Sequence, residues 1–126
     1  MKKILIPIDF SEYSEKAIEQ GKLMAKAFDS EVLLLHVLTV RPVPVRYRGA
    51  TTFNTIPENL SEKEHKHSEE TLLEYKKSFN ELEDKVKISV VHGNVGDEIL
   101  KAINDSDVDF VIMGSYGIGS AIYRNL

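Results

Sequence analysis

The sequence predicts an α/β protein, a three-layer open parallel sheet with helices on both faces. Short, continuous apolar runs recur at Ile4–Ile8, Val32–Leu38 and Phe110–Met113, as expected of strands buried on both faces. Stretches with three-and-four spacing separate these runs, so the apolar period switches from strand to helix and back. A helix between two consecutive strands makes a β-α-β unit, which calls for parallel strands and a right-handed crossover.

The first strand is Ile4-Leu5-Ile6-Pro7-Ile8, in which Pro7 supplies no backbone donor. From Ser14 to Phe28, Ala17, Gly21, Met24, Ala25 and Phe28 form one face of an amphipathic helix, with Ser11 or Ser14 as its cap. Val32 to Leu38 is the second strand. Thr39 to Leu60 holds three of the four prolines and Arg41, Arg46 and Arg48 without a sustained period, and reads as a long mobile loop at 39–60. Ser61-Glu62-Lys63-Glu64 has the form of a capping box, and Ser68, Leu72, Tyr75, Phe79 and Leu82 continue as a helical stripe to about residue 84. Val86 to Val91 is the third strand; Asn94 caps a short helix carrying Ile99, Leu100 and Ile103; Phe110 to Met113 is the fourth strand, ending in a glycine-rich turn. No repeat or low-complexity tract subdivides residues 1–126, so one domain is expected.

Composition narrows the function. With 126 residues, 42% apolar and 29% charged, the chain matches an ordinary globular protein with a single core. A formal charge of -4 argues against neutralising a nucleic-acid backbone, which needs a clustered basic excess. The absence of cysteine removes disulfides, thiolate nucleophiles and cysteine-based zinc sites. Asp9 ends the first apolar run too early for a signal peptide, and no run is long enough to span a bilayer, so the cytoplasm and no membrane partner are expected.

In an open parallel sheet the ligand crevice lies beyond the carboxyl ends of the strands. Asp9 follows the first strand there; its carboxylate suits ribose hydroxyls or a base amine, and equally suits capping the first helix. Gly114-Ser115-Tyr116-Gly117-Ile118-Gly119-Ser120 follows the fourth strand, where residues without Cβ let backbone N–H groups approach a polyanion, or simply make a tight connection. The Gly-x-Gly-x-x-Gly and Gly-Lys-Ser/Thr phosphate motifs are absent. His65 and His67, two apart on a helix, point in different directions as solvated residues. His36 reads as a satisfied, partly buried strand residue; His92 comes near the crevice without a nucleophile to serve. Neither a catalytic constellation nor a metal site of the chain's own is expected.

Ile4 to Ser11, Leu34-Leu35-His36-Val37 and Val111-Ile112-Met113-Gly114-Ser115-Tyr116-Gly117 together resemble the universal stress proteins, end to end apart from residues 39–60. The resemblance implies an adenine nucleotide alpha hydrolase-like fold. It also implies that Pro7, Asp9 and Val37 border adenine and ribose, while Met113, Gly114 and Gly117 continue toward the phosphates of ATP or AMP, with a divalent cation held by those phosphates. The nucleotide-binding branch carries Gly-x2-Gly-x9-Gly-Ser/Thr; Gly114 and Gly117 match its first two glycines, and nine residues follow Gly117. The third glycine, its hydroxyl partner and a fifth strand that pairs two subunits as a homodimer are therefore expected beyond Leu126. Val95 replaces a frequent proline, and Tyr116 a frequent histidine or arginine. The implied function is a nucleotide-dependent regulator of stress response; the alternatives are a slow ATPase and a nucleotide-free protein-interaction dimer.

Overall fold

The computed structural model describes residues 2–39, 43–47, 49–54 and 58–114. In chain order the elements are β1 (Lys3–Pro7), α1 (Glu12–Phe28), β2 (Glu31–Leu38), β3 (Val43–Tyr47), β4 (Ala50–Asn54), α2 (Glu58–Lys77), a 3-10 helix (Asn80–Lys85), β5 (Val86–His92), α3 (Val95–Asp105) and β6 (Phe110–Val111). Four strands form an all-parallel sheet in the order β5-β2-β1-β6. The chain runs outward from β1 through β2 to β5 and then crosses back to the far side of β1. The reversal sits between β1 and β6, the point at which such sheets open a crevice.

Alternate residues of the strands feed the two faces. Ile4, Ile6 and Ile8 of the first strand and its turn, with Val32, Leu34 and Val86, pack against Ala17, Ile18 and Ala25 of α1 and against Leu72 of α2 and Phe79. The other register, represented by Leu33, Leu35, Ser89 and Val91, faces Glu98, Lys101 and Ala102 of α3. Helices thus cover both faces, as the apolar runs predict.

Local chemistry sets the element ends. Ser11, with extended backbone, caps α1 by accepting from the Ser14 N–H, and Glu12 and Glu15 suit the positive end of the helix. Asp29 closes α1 in the left-handed region at φ 52°, donating its N–H to the Ala25 carbonyl. Asn94 caps α3 by accepting from the Asp97 N–H.

Four expectations need correction. Residues 39–60, expected as a patternless loop, contain β3 and β4, an antiparallel pair with Val43 opposite Asn54 and Tyr47 opposite Ala50. Short β-branched runs pair there across a turn in which Gly49 takes φ 78°, a value glycine reaches without steric cost. Helix α2 begins at Glu58, ahead of the expected capping box at Ser61. It also does not reach residue 84: Ser78 Oγ donates to the Tyr75 carbonyl, Phe79 turns into the core, and left-handed Asn80 (φ 54°) starts the 3-10 helix. Last, the fourth strand of the main sheet is regular only over Phe110–Val111, although the Ile112 N–H still donates to the Leu5 carbonyl and extends the ladder.

Candidate functional site at the carboxyl edge of the sheet

The crevice begins where β1 ends. Pro7 pairs with Leu35 in register, and the Ile8 N–H donates to the Leu35 carbonyl, so the turn after β1 is tied to the middle of β2. Val37 lies two residues beyond Leu35, on the same face of β2. Both Pro7 and Val37 are partly buried. Ile112 beside Leu5 brings Met113 and Gly114 out at the same edge on the other side of β1. The structure therefore gathers Pro7, Asp9, Val37, Met113 and Gly114 at one end of the sheet. Gly117 lies outside the described residues.

Asp9 fastens the start of α1. Its Oδ1 accepts from the Ser11 N–H at 3.0 Å, the Ser11 hydroxyl at 2.5 Å and the Ser14 hydroxyl at 2.6 Å, while the Asp9 N–H donates to Ser14 Oγ at 2.9 Å. Burial by itself pushes the carboxyl upward, but the bonds from Ser11 and Ser14 outweigh it and hold the group below the usual aspartate range. The three bonds to the carboxylate all land on Oδ1. The residue is exposed, and Oδ2 takes none of them. The helix start is thus fastened by one oxygen of an anchored, ionised carboxylate.

Phe10, a residue without special standing in the sequence, occupies the left-handed region at φ 65°. That conformation costs a side-chain-bearing residue on the order of 1–2 kcal/mol and persists only where its surroundings hold it. Its ring lies 4.2 Å from the His36 ring, centre to centre. His36 Nδ1 is 2.6 Å from the Ile8 carbonyl, which only accepts, so Nδ1 carries the proton and donates. His36 is accordingly a satisfied strand residue that braces the turn presenting Asp9. Nothing in the local sequence marks Phe10, whose ring meets a strand residue 26 positions away.

Gly114 is demanded by packing. A Cβ there would lie 2.7 Å from Tyr13 Cβ and 2.9 Å from the Tyr13 carbonyl carbon and oxygen. The end of β6 is pressed against the first turn of α1, so the same absence of a side chain that suits a ligand is already required by the backbone of α1.

The remaining histidines divide. His67 is exposed, whereas His65 and His92 meet across α2 and β5, with Nδ1 of His65 3.0 Å from Nε2 of His92. Separation of 27 residues in sequence hid this pair. Among the described residues no set of three histidine, aspartate or glutamate side chains is placed to hold a metal. A cation here would have to be carried by a ligand's phosphates. An open cavity of about 1070 Å³, bordered by Lys2, Asp29, Lys85 and Asp109, lies at the opposite edge and touches none of the crevice residues. Among the described residues no helix is long and apolar enough to cross a membrane.

The sequence profile of the universal stress protein family matches residues 1–123. The chain belongs to the universal stress protein family. It is 38% identical over 125 residues to universal stress protein MJ0577 of Methanocaldococcus jannaschii, covering 92% of this chain and 77% of that one. A solved structure of MJ0577 superposes with a TM-score of 0.62 over 92% of this chain and 76% of that chain, at 34% identity. A universal stress family protein from Burkholderia pseudomallei shares the fold at TM-score 0.75 and 13% identity, over 98% and 89% of the two chains. Two further family structures share the fold. One holds cAMP (TM-score 0.58, 12% identity, 98% and 80% covered), and one from Arabidopsis thaliana holds AMP (TM-score 0.51, 18% identity, 98% and 82% covered).

Proposed function

We propose that this universal stress protein binds an adenine nucleotide, ATP or AMP, in the crevice at the carboxyl ends of β1, β2 and β6. In this reading it acts as a nucleotide-dependent regulator of stress response. Pro7 and Val37 flank the base, Asp9 takes the ribose hydroxyls or the base amine, and Met113, Gly114 and Gly117 line the way to the phosphates. A divalent cation would come with those phosphates. The observation that carries this reading is Asp9: an exposed carboxylate, held ionised by Ser11 and Ser14 through one oxygen, stands at the topological reversal of the sheet with its second oxygen outside that network. Support also comes from the family structures that hold AMP and cAMP on this fold.

In this reading the protein holds the nucleotide rather than turning it over. A homodimer in the cytoplasm completes the proposal. The test is to denature the purified protein, identify any released nucleotide by chromatography, and titrate the nucleotide-free protein with ATP and with AMP by calorimetry. Asp9→Asn, which keeps the shape and removes the charge, should weaken binding by about 1–3 kcal/mol, the range for a charge-assisted hydrogen bond. Absence of heat with both nucleotides at millimolar concentration, or equal affinity in the variant, would overturn the assignment.

A further inference from the structure

Away from the crevice turn, Glu69, His65 and His92 form a row joining α2 to the carboxyl end of β5. His65 Nε2 lies 2.6 Å from Glu69 Oε1, one helical turn on, and His65 Nδ1 lies 3.0 Å from His92 Nε2. The ring centres are 5.2 Å apart and the planes differ by only 10°. A centre spacing that exceeds the nitrogen gap by roughly two ring radii places the rings end to end in nearly one plane, the arrangement of an N–H···N hydrogen bond. The row is partly open to water: the His65 and Glu69 side chains are 33% and 49% exposed, and His92 is exposed.

We propose that this row is an acid-sensitive latch that fastens the first half of α2 to the edge of the sheet. A carboxylate only accepts, so His65 Nε2 donates to Glu69. With both rings neutral, His65 Nδ1 accepts from the N–H of His92. One added proton is tolerated, because imidazolium His65 donates from both nitrogens, to Glu69 and to an unprotonated His92 Nε2, while Glu69 offsets the charge. A second proton is not tolerated. Both nitrogens across the 3.0 Å gap would then carry hydrogens, and two cations would face each other with a single carboxylate between them and neutrality. Among the described residues, the row is accompanied by Glu62, one turn earlier on α2, Glu69 on the same helix, and Glu98 of α3, whose Oε1 lies 2.8 Å from where a Cβ on Gly93, the residue after His92, would stand. On the sheet side His92 is in register with Leu38, an apolar neighbour at the last position of β2. Among the described residues β5 is an edge strand, with no further strand of the sheet beyond it. Release of the latch therefore frees the first half of α2 without touching the buried anchor Leu72. The latch stands independently of nucleotide binding.

The experiment is amide hydrogen exchange of the full chain between about pH 7.5 and about pH 5, the interval in which imidazoles ordinarily change charge, with rates corrected for intrinsic chemistry. Nitrogen-15 spectra of the imidazoles, taken alongside, should show unprotonated His65 Nδ1 at the upper pH. Protection over residues 62–68 should fall about three- to ten-fold on acidification, the size of one lost hydrogen bond, while β1 and β2 stay protected. In His92→Gln and in His65→Gln the acid response should vanish, and in His67→Gln it should persist. An equal response in the two latch variants and the parent, or no response in the parent, would overturn the proposal. So would an acid response abolished by a chelator, since a metal and not a proton would then join the rings.

Discussion

Replacement of Asp9 by alanine tests the turn that presents the crevice. The substitution removes the acceptor of three hydrogen bonds, and the three donors do not suffer equally. Ser11 is partly exposed and its groups can turn to water. Ser14 is only 3% exposed, and its hydroxyl loses its acceptor with little access to water. An unsatisfied buried hydroxyl costs about 1–3 kcal/mol, and the Ser11 exchange adds a few tenths, so the expected loss is about 2 kcal/mol. Ser14→Ala removes the same central bond and also the acceptor of the Asp9 N–H. The two substitutions should therefore be strongly sub-additive, with a coupling energy of about 1 kcal/mol. Urea unfolding followed by circular dichroism on the parent, both single variants and the double variant at pH 7 measures it directly. Because the Asp9 carboxyl sits below its unfolded value, its contribution is present above about pH 4 and is lost as pH falls through the lower, folded value. The gap between parent and Asp9→Asn should thus narrow on acidification. Additive losses, or an Asp9→Ala variant as stable as the parent, would refute the network as a structural fastening.

Two further perturbations probe the frame of the site. Gly114→Ala sets a Cβ within 2.9 Å of Tyr13 backbone atoms, which cannot rotate aside as a side-chain tip could; a loss of about 2 kcal/mol is expected in thermal unfolding, and an unchanged midpoint would mean that β6 and α1 are not in contact. Asp109 Oδ2 accepts from the Lys2 and Lys3 N–H groups at 2.9 and 3.0 Å, and those bonds hold its carboxyl below the usual range. Its contribution is therefore present above the unfolded value and fades as pH drops through the folded one, so Asp109→Asn should flatten the acid limb of the stability profile below about pH 4; identical acid limbs would refute it.

The strands and the first helix were legible because their causes are local in sequence. Ile4–Ile8 and Val32–Leu38 are apolar at consecutive positions since both faces of a parallel strand are covered, and α1 repeats small and apolar residues at helical spacing over a capping serine. Asp9 was legible as a candidate for the same reason: strand ends mark the crevice in any sheet of this kind. Its part in fastening the first helix was also readable, though the share of each oxygen was not. The pair β3–β4 was obscured by Pro44 and by the brevity of two strands whose pairing depends on a left-handed Gly49.

Sequence by itself determined the fold class, the order of the main-sheet strands along the chain and the edge at which a sheet of this kind opens its crevice, since these follow from periodicity and chain connectivity. Tertiary structure alone decided which distant residues meet. It set Phe10 in the left-handed region against His36, pressed Gly114 onto the backbone of Tyr13, and brought His65 on α2 to His92 on β5. No local pattern encodes such meetings, because each depends on how layers built from separate segments settle against one another. The glycine shows the difference most plainly: its lack of a side chain could be read from the sequence, but the helix that requires it could be seen only once β6 lay beside α1.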